Sequence, residues 1–124
     1  MCNSSKRMIN KVFFLLLLNG FLSFTSFCQK NGIDSLQNVL KTIPSDTSKI
    51  KILNQLGSEL YDKTEYDVAL QYINEAKQLA EEINYKTGLA KSYKLTAYIL
   101  IKKGEFTNAS DAVDKLIEIQ KGLD

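Results

Sequence analysis

Carboxylates are the side chains of this chain that are best suited to acid–base catalysis, and they occur in two short clusters. Glu81 is followed directly by Glu82, and Asp111 lies three residues before Asp114. Charge runs of this kind are usually solvated helix surface. The chain contains no histidine, which excludes the Ser-His-Asp and Cys-His arrangements of nucleophilic catalysis. We therefore predict that the protein is not an enzyme.

Residues that commonly bind metals and phosphates are also scarce. Both cysteines, Cys2 and Cys28, lie near the N-terminus, so the rest of the chain can form neither a thiolate zinc site nor a disulfide. Gly88 and Gly104 are isolated, which indicates turn or helix-cap glycines and not a phosphate-binding loop. We expect no cofactor and no metal.

Residues 1–28 have the pattern of a secretory signal peptide. Lys6, Arg7 and Lys11 precede an apolar stretch at residues 12–24, and a basic start followed by about 7–15 apolar residues is typical of such leaders. Polar interruptions leave the stretch short of the roughly 20 apolar residues that a membrane-spanning helix needs. We predict an exported protein, periplasmic or extracellular; the alternative is an uncleaved leader that anchors it to the membrane.

The sequence leaves two alternatives for processing at Cys28. Ser26 and Cys28 fit a small-x-small site for cleavage after Cys28. A lipid on Cys28 would instead anchor the chain, although Phe27 stands where bacterial lipoproteins usually carry a small residue. Membrane contact is therefore expected only through the leader or through a lipid on Cys28.

The net charge of +2 comes from the leader. Beyond residue 28 the chain has 13 basic and 14 acidic residues, so this part is close to neutral. A nucleic-acid-binding surface needs a clustered basic excess. We therefore predict no nucleic-acid partner.

Apolar residues at helical spacing, separated by caps and breakers, predict an all-α domain from residue 31 onward. Asp34 and Gln37 resemble a capping box for the first helix, and Pro44 ends that helix. Thr64 with Asp67 predicts the start of another helix. The remaining boundary signals are candidate N-caps at residues 45–48 and helix ends at Asn84 and Gly104. The inward-facing residues predicted for the last four helices are Ile50, Leu53, Leu56, Gly57, Leu60, Tyr61, Tyr66, Ala69, Leu70, Ile73, Ala76, Ala80, Ile83, Leu89, Tyr93, Ala97, Leu100, Ile101, Phe106, Ala109, Val113, Leu116 and Ile119.

An internal repeat organises these helices, because residues 51–80 recur forty residues later as residues 91–120. A fixed period of this size is typical of stacked helical hairpins, each of which buries its apolar face against its neighbours. The domain assignment that follows is a short N-terminal helix acting as a half-repeat or cap at 29–46, a first repeat at 47–84 and a second at 85–124.

Small residues mark the predicted crossings of paired helices. Gly57 costs its helix roughly 1 kcal/mol relative to alanine, so close packing is the expected compensation. The small residues assigned to crossings are Gly57 and Ala69 in the first unit and Ala97 and Ala109 in the second, with Tyr66 and Phe106 filling the adjoining gaps.

The first unit contains the pattern Leu53-x2-Leu56-Gly57, followed by Tyr66-x2-Ala69. This pattern resembles the tetratricopeptide repeat (TPR) family. The resemblance implies antiparallel helical hairpins stacked as a short right-handed solenoid that binds a protein or peptide through its concave face. The chain departs from the family in four ways: tryptophan is absent, no proline closes the second helix of either unit, Thr96 stands where leucine is usual, and the period is forty residues instead of about 34.

In the TPR family the first helix of each unit lines the concave face, and its positions outside the core contact the ligand. By this resemblance the partner-binding residues here are Lys51, Asn54, Ser58, Lys91, Lys94 and Tyr98. Tyr98 is the strongest candidate, since an aromatic side chain in a groove is a common anchor. The alternative is that all six are ordinary solvated side chains.

The last predicted helix carries apolar residues that need a partner, namely Leu116, Ile117, Ile119 and Leu123. Solenoids generally need three or more units and polar caps. One expectation is self-association through this uncapped helix. The other is that the chain is a truncated extracytoplasmic sensor domain whose output domain is absent. In that case it is similar to the N-terminal part of repeat-containing sensor kinases and transcription regulators.

Overall fold

A computed structural model describes residues 32–123. The predicted leader and Cys28 lie outside the described residues. The helices are α1 at 32–42, α2 at Thr47–Asp62, α3 at Tyr66–Glu82, α4 at Lys86–Lys103 and α5 at Phe106–Lys121. No strand occurs between residues 32 and 123, which confirms the all-α prediction. None of these helices is long and apolar enough to cross a membrane.

Three turns of the same kind separate α2, α3, α4 and α5, and they recur every twenty residues. The residues with positive φ are Thr64 at 62°, Asn84 at 55° and Gly104 at 78°. One residue later, a backbone N–H donates to a carbonyl five positions back, in the pairs Glu65–Leu60 at 2.9 Å, Tyr85–Ala80 at 2.8 Å and Glu105–Leu100 at 2.9 Å. This is the Schellman arrangement that ends helices at a left-handed residue.

Two predicted helix starts are wrong, while three boundary predictions are confirmed. Thr64 does not cap α3; it is the left-handed residue of the turn that closes α2. Asp34 does not begin α1, since α1 is already helical at Gly32. Asp46 caps α2 by accepting from the Ser48 amide at 2.7 Å. Asn84 and Gly104 close α3 and α4 as expected.

Residues from Leu36 onward form one compact unit built from two hairpins, α2–α3 and α4–α5. The first helix of the second hairpin, α4, packs against both helices of the first. Gly57 permits the close crossing of α2 and α3, because a Cβ added there would lie 2.4 Å from Cγ1 of the fully buried Ile73. The predicted compensation for this glycine is therefore confirmed.

The core lies between the first hairpin and α4. One buried cluster there consists of Ile50, Leu53, Ala76, Leu79 and Ala80, with Leu40, Tyr72, Tyr85 and Leu89 packed against them. The Gln37 side chain of α1 donates to the Tyr72 hydroxyl of α3 at 3.0 Å. This bond gives Gln37 a tertiary role in place of the predicted capping box.

Several residues predicted to face inward are exposed. In the second hairpin, Phe106 is 69 % exposed and fills no gap, and Ile101 and Val113 are also exposed; Ile83, directly after α3, is exposed as well. In the first hairpin the equivalent of Phe106, Tyr66, is half-buried with its ring centroid 5.8 Å from that of Tyr61. Helical spacing predicts which side of a helix is apolar, but it does not show whether another element covers that side.

Candidate partner-binding site

A groove of about 420 Å³ lies between α4 and α5. Its lining residues are Ala90, Lys91, Lys94, Leu95, Tyr98, Leu116 and Gln120. The α4 residues follow one another at helical spacing along one stripe, and the two α5 residues are four apart, so each helix contributes a single face. We call this the end groove. It contains all three residues that sequence reasoning assigned to partner binding in the second unit.

Tyr98 and Lys94 form the centre of the end groove on α4. Tyr98 is 45 % exposed, and the Lys94 Nζ atom lies 5.8 Å from the centroid of its ring. An ammonium group at this distance is attracted to the negative face of the ring. Lys91 is also exposed, so the groove combines an apolar floor with two positive charges.

The three residues assigned to partner binding in the first unit have different surroundings. Lys51 is exposed and Ser58 is half-buried, so both are accessible on α2. Asn54 is only 1 % exposed. The structure therefore brings Lys91, Lys94 and Tyr98 together around one groove and removes Asn54 from the accessible surface.

Asn54 instead connects α2 to α4. Its Nδ2 donates to the Gly88 carbonyl at 3.2 Å, and its Oδ1 accepts from the Ser92 hydroxyl at 2.8 Å. Thr96 donates to the Ser92 carbonyl at 2.9 Å along the same buried side of α4. We call Asn54, Gly88 and Ser92 the interhelix network. The sequence feature that could have indicated this buried contact is the polar pair Ser92 and Thr96 among the apolar residues of α4.

Gly88 belongs to this helix contact and is neither a turn nor a cap residue. It lies in the first turn of α4 and is buried. A Cβ added there would lie 2.8 Å from Cγ2 of Ile50 on α2. Sequence reasoning missed this role because an isolated glycine near a helix start is equally typical of a turn.

The carboxylates considered for catalysis are dispersed on the surface. Glu81, Glu82, Asp111 and Asp114 are all exposed. Among the described residues, no group of three or more histidine, cysteine, aspartate or glutamate side chains could hold a metal ion.

Lys103, at the end of α4, forms ion pairs with two acidic side chains. Its Nζ lies 2.7 Å from Asp67 Oδ1 and 3.3 Å from Glu105 Oε1. The hydrogen bond to Asp67, followed by that to Glu105, raises the pKa of Lys103. The pKa of Glu105 is lowered, first by the hydrogen bond from Asn108 and then by that from Lys103. These contacts join the end of α4 to the starts of α3 and α5.

Helical hairpins that repeat every forty residues, with Gly57 at a close crossing and α4 stacked on the preceding hairpin, define a helical repeat protein of the tetratricopeptide class. Residues 28–121 match the family described as the SusR N-terminal TPR domain. The chain belongs to this family. No curated protein and no solved structure matches the chain significantly. TPR domains generally bind proteins or peptides and are generally not catalysts.

Proposed function

We propose that the chain is an exported, non-enzymatic module that binds a protein or peptide through the face formed by α2 and α4. Membership of a TPR family supports the class of function. The end groove supports the position of the site, because it combines a volume of about 420 Å³ with an apolar floor and accessible polar groups. It is the observation that carries the proposal.

Each group at the end groove has a chemical role in this proposal. Ala90, Leu95 and Leu116 would bury an apolar side chain of the partner. Tyr98 offers an aromatic face at low conformational cost, and Lys94 provides hydrogen-bond donors for a partner's carbonyl or carboxylate groups. Lys51 and Ser58 occupy the equivalent positions of Lys91 and Tyr98 on α2, so they extend the contact surface along the first unit. Asn54 is not part of this surface.

Capture of the partner from cells that express the chain tests this site. The full chain is compared with the double variant Lys94→Ala, Tyr98→Ala. The matched control, Lys102→Ala with Ile117→Ala, removes one exposed lysine and one exposed apolar side chain outside the groove. We expect the groove variant to lose proteins that the wild type and the control both retain. Equal recovery by all three chains would contradict the assignment.

A second candidate function is that of a sensor domain in a longer signalling protein. The family description supports an N-terminal position in a longer protein, since it names an N-terminal domain; the sensor role rests on the resemblance to repeat-containing sensor kinases and transcription regulators. In-frame coding sequence downstream of Asp124 that encodes a hydrophobic span and a kinase or DNA-binding region would favour this function. A stop codon directly after Asp124 would contradict it.

Export is proposed from the leader pattern at residues 1–28. The intact mass of the protein recovered from the periplasmic and membrane fractions tests it. Cleavage after Cys28 leaves Gln29 as the first residue, whereas lipidation retains Cys28 with added acyl mass. A full-length protein confined to the cytoplasm would contradict both routes.

A further inference from the structure

The end groove has a counterpart in the first unit that is already covered. Forty residues before its lining residues Ala90, Lys94, Leu116 and Gln120 stand Ile50, Asn54, Ala76 and Ala80. All four of these earlier residues are buried. This part of the groove is therefore the second unit's version of a surface that a helix occupies in the first unit, whereas the equivalents of its other lining residues, Lys51, Gln55 and Ser58, are not buried.

The helix that covers the first-unit surface is α4. Tyr85 and Leu89 pack on the core that includes Ile50 and Ala76, and Ser92 donates to Asn54. Tyr85, Leu89 and Ser92 follow at spacings of four and three residues, so they share one helical face. The internal repeat thus shows which kind of helix fits the groove: one with an aromatic residue, then leucine, then a polar residue.

The two units differ at one polar position, and this difference changes which polar group of an incoming helix fits. Asn54 can both donate and accept, and it accepts from the Ser92 hydroxyl. Lys94, its equivalent, has an ammonium group with three donors and no acceptor. Lys91 adds a second positive charge, and no acidic side chain lines the groove. A hydroxyl oxygen can accept from Lys94, but an ionised carboxylate accepts more strongly from an ammonium group and is therefore the better match in the second unit.

We propose that the end groove binds an amphipathic helix of a partner protein, with an aromatic residue, a leucine four residues later and a carboxylate three residues after that. The aromatic residue and leucine occupy the apolar floor, as Tyr85 and Leu89 do in the first unit, and the carboxylate accepts from Lys94. This inference deepens the proposed function and rests on it.

The chain itself does not contain such a helix. No aromatic residue in the sequence is followed by leucine at the fourth position and by aspartate or glutamate at the seventh. The nearest case is α4, which has Ser92 at the last position and is packed against the first hairpin. Residues 1–124 therefore do not supply the stated helix, which argues against a second copy of this sequence as the occupant.

Binding of two designed peptides to the full chain tests the proposal. Both are helical peptides of alanine, glutamine and glutamate with tyrosine and leucine at the spacing of Tyr85 and Leu89. One has glutamate at the position of Ser92, and the other has lysine there. Fluorescence anisotropy should show that the glutamate peptide binds about tenfold more tightly, since unlike charges meet at Lys94 in one case and like charges in the other.

Variants of the chain locate the binding. Lys94→Glu should reverse the preference in favour of the lysine peptide, and it alters only an exposed side chain. Leu116→Lys should abolish binding, whereas Ile117→Lys, on the next residue and outside the groove, should leave it unchanged. Circular dichroism of each variant verifies that the helices are retained.

Four results would overturn the inference: equal affinity for both peptides, binding of neither peptide, failure of Lys94→Glu to reverse the preference, or a dimer that Leu116→Lys dissociates. The last would make a second copy the occupant. If neither peptide binds while the variant Lys94→Ala, Tyr98→Ala still loses a captured protein, only the helix inference fails. If that variant loses nothing either, the proposed function fails as well.

Discussion

The interhelix network gives the sharpest test of how the two hairpins are joined. Asn54→Ala removes both of its hydrogen bonds between α2 and α4, while Ser92→Ala removes the donor to Asn54 Oδ1. Asn54 and Ser92 are almost fully buried, at 1 % and 0 % exposure. Truncation of either side chain therefore leaves its former partner in a buried environment.

The size of the effect follows from which groups are left unpaired. A buried polar group without a partner costs about 1–3 kcal/mol. In Asn54→Ala the Ser92 hydroxyl still has the Gly88 carbonyl 3.0 Å away, so the loss is that of the Asn54 packing and its bond to Gly88. We expect the unfolding free energy to fall by about 2 kcal/mol for Asn54→Ala and by about 1 kcal/mol for Ser92→Ala.

Urea unfolding followed by circular dichroism measures these changes, and the double variant measures their coupling. Residues in one hydrogen-bond network couple by about 0.5–3 kcal/mol, so the double variant should lose less than the two single losses combined. Lys94→Ala is the matched control, since Lys94 is the exposed equivalent of Asn54 and should change stability by less than about 0.5 kcal/mol. Purely additive losses, or an Asn54→Ala effect as small as the control's, would refute the reasoning.

Three further predictions concern the turns, the hairpin crossing and the surface charges. Thr64→Gly should raise the unfolding free energy by about 1 kcal/mol, because Thr64 has a φ of 62° that a β-branched residue adopts at a cost; urea unfolding measures it. Gly57→Ala should lower thermal stability, because the added Cβ would lie 2.4 Å from Ile73 Cγ1 and overpacking outweighs the helix preference of alanine. Glu105→Gln should make the melting temperature fall less steeply as the pH is lowered into the acid range. The lowered pKa of Glu105 gives stability that is present above its unfolded pKa and is lost as pH falls through its folded pKa.

Each of these predictions has its own control. Gly104→Thr is the reverse of the Thr64 change and should lower the unfolding free energy. If Thr64→Gly and Gly104→Thr both had the stability of the wild type, the left-handed turns would not be strained. Gly32→Ala adds a Cβ that meets nothing within 4 Å, and a similar loss there would remove the crossing at Gly57 as the cause. An unchanged acid profile for Glu105→Gln would mean that its contacts with Asn108 and Lys103 do not persist in solution.

Much of the fold could be predicted because the sequence repeats the same local signals. Asn84 and Gly104 are residue types that tolerate left-handed backbone, so the ends of α3 and α4 were correctly predicted. Thr64 has the same conformation but the wrong residue type, and it was therefore interpreted as a cap. Local preference failed because the backbone hydrogen bonds of the turn, from Thr64 to Tyr61 and from Glu65 to Leu60, accompany a conformation that threonine disfavours.

The candidate site was less predictable, because burial depends on neighbours that no local pattern reveals. Asn54 and Lys94 occupy equivalent positions, yet one is buried under α4 and the other is open. The same difference separates Tyr66 from Phe106, which is 69 % exposed. Periodicity identified the correct faces, and only the three-dimensional packing distinguished a structural contact from an accessible one.

Site-specific photo-crosslinking in cells that express the chain tests the central claim, that the end groove carries the partner, most directly. A photoreactive phenylalanine derivative replaces either Tyr98, in the groove, or Asp114, an exposed residue of α5 outside it. The account predicts a crosslinked protein adduct from position 98 that is absent from position 114 and disappears when Leu116→Lys is added. An adduct that forms equally at both positions, or forms only at position 114, would contradict it.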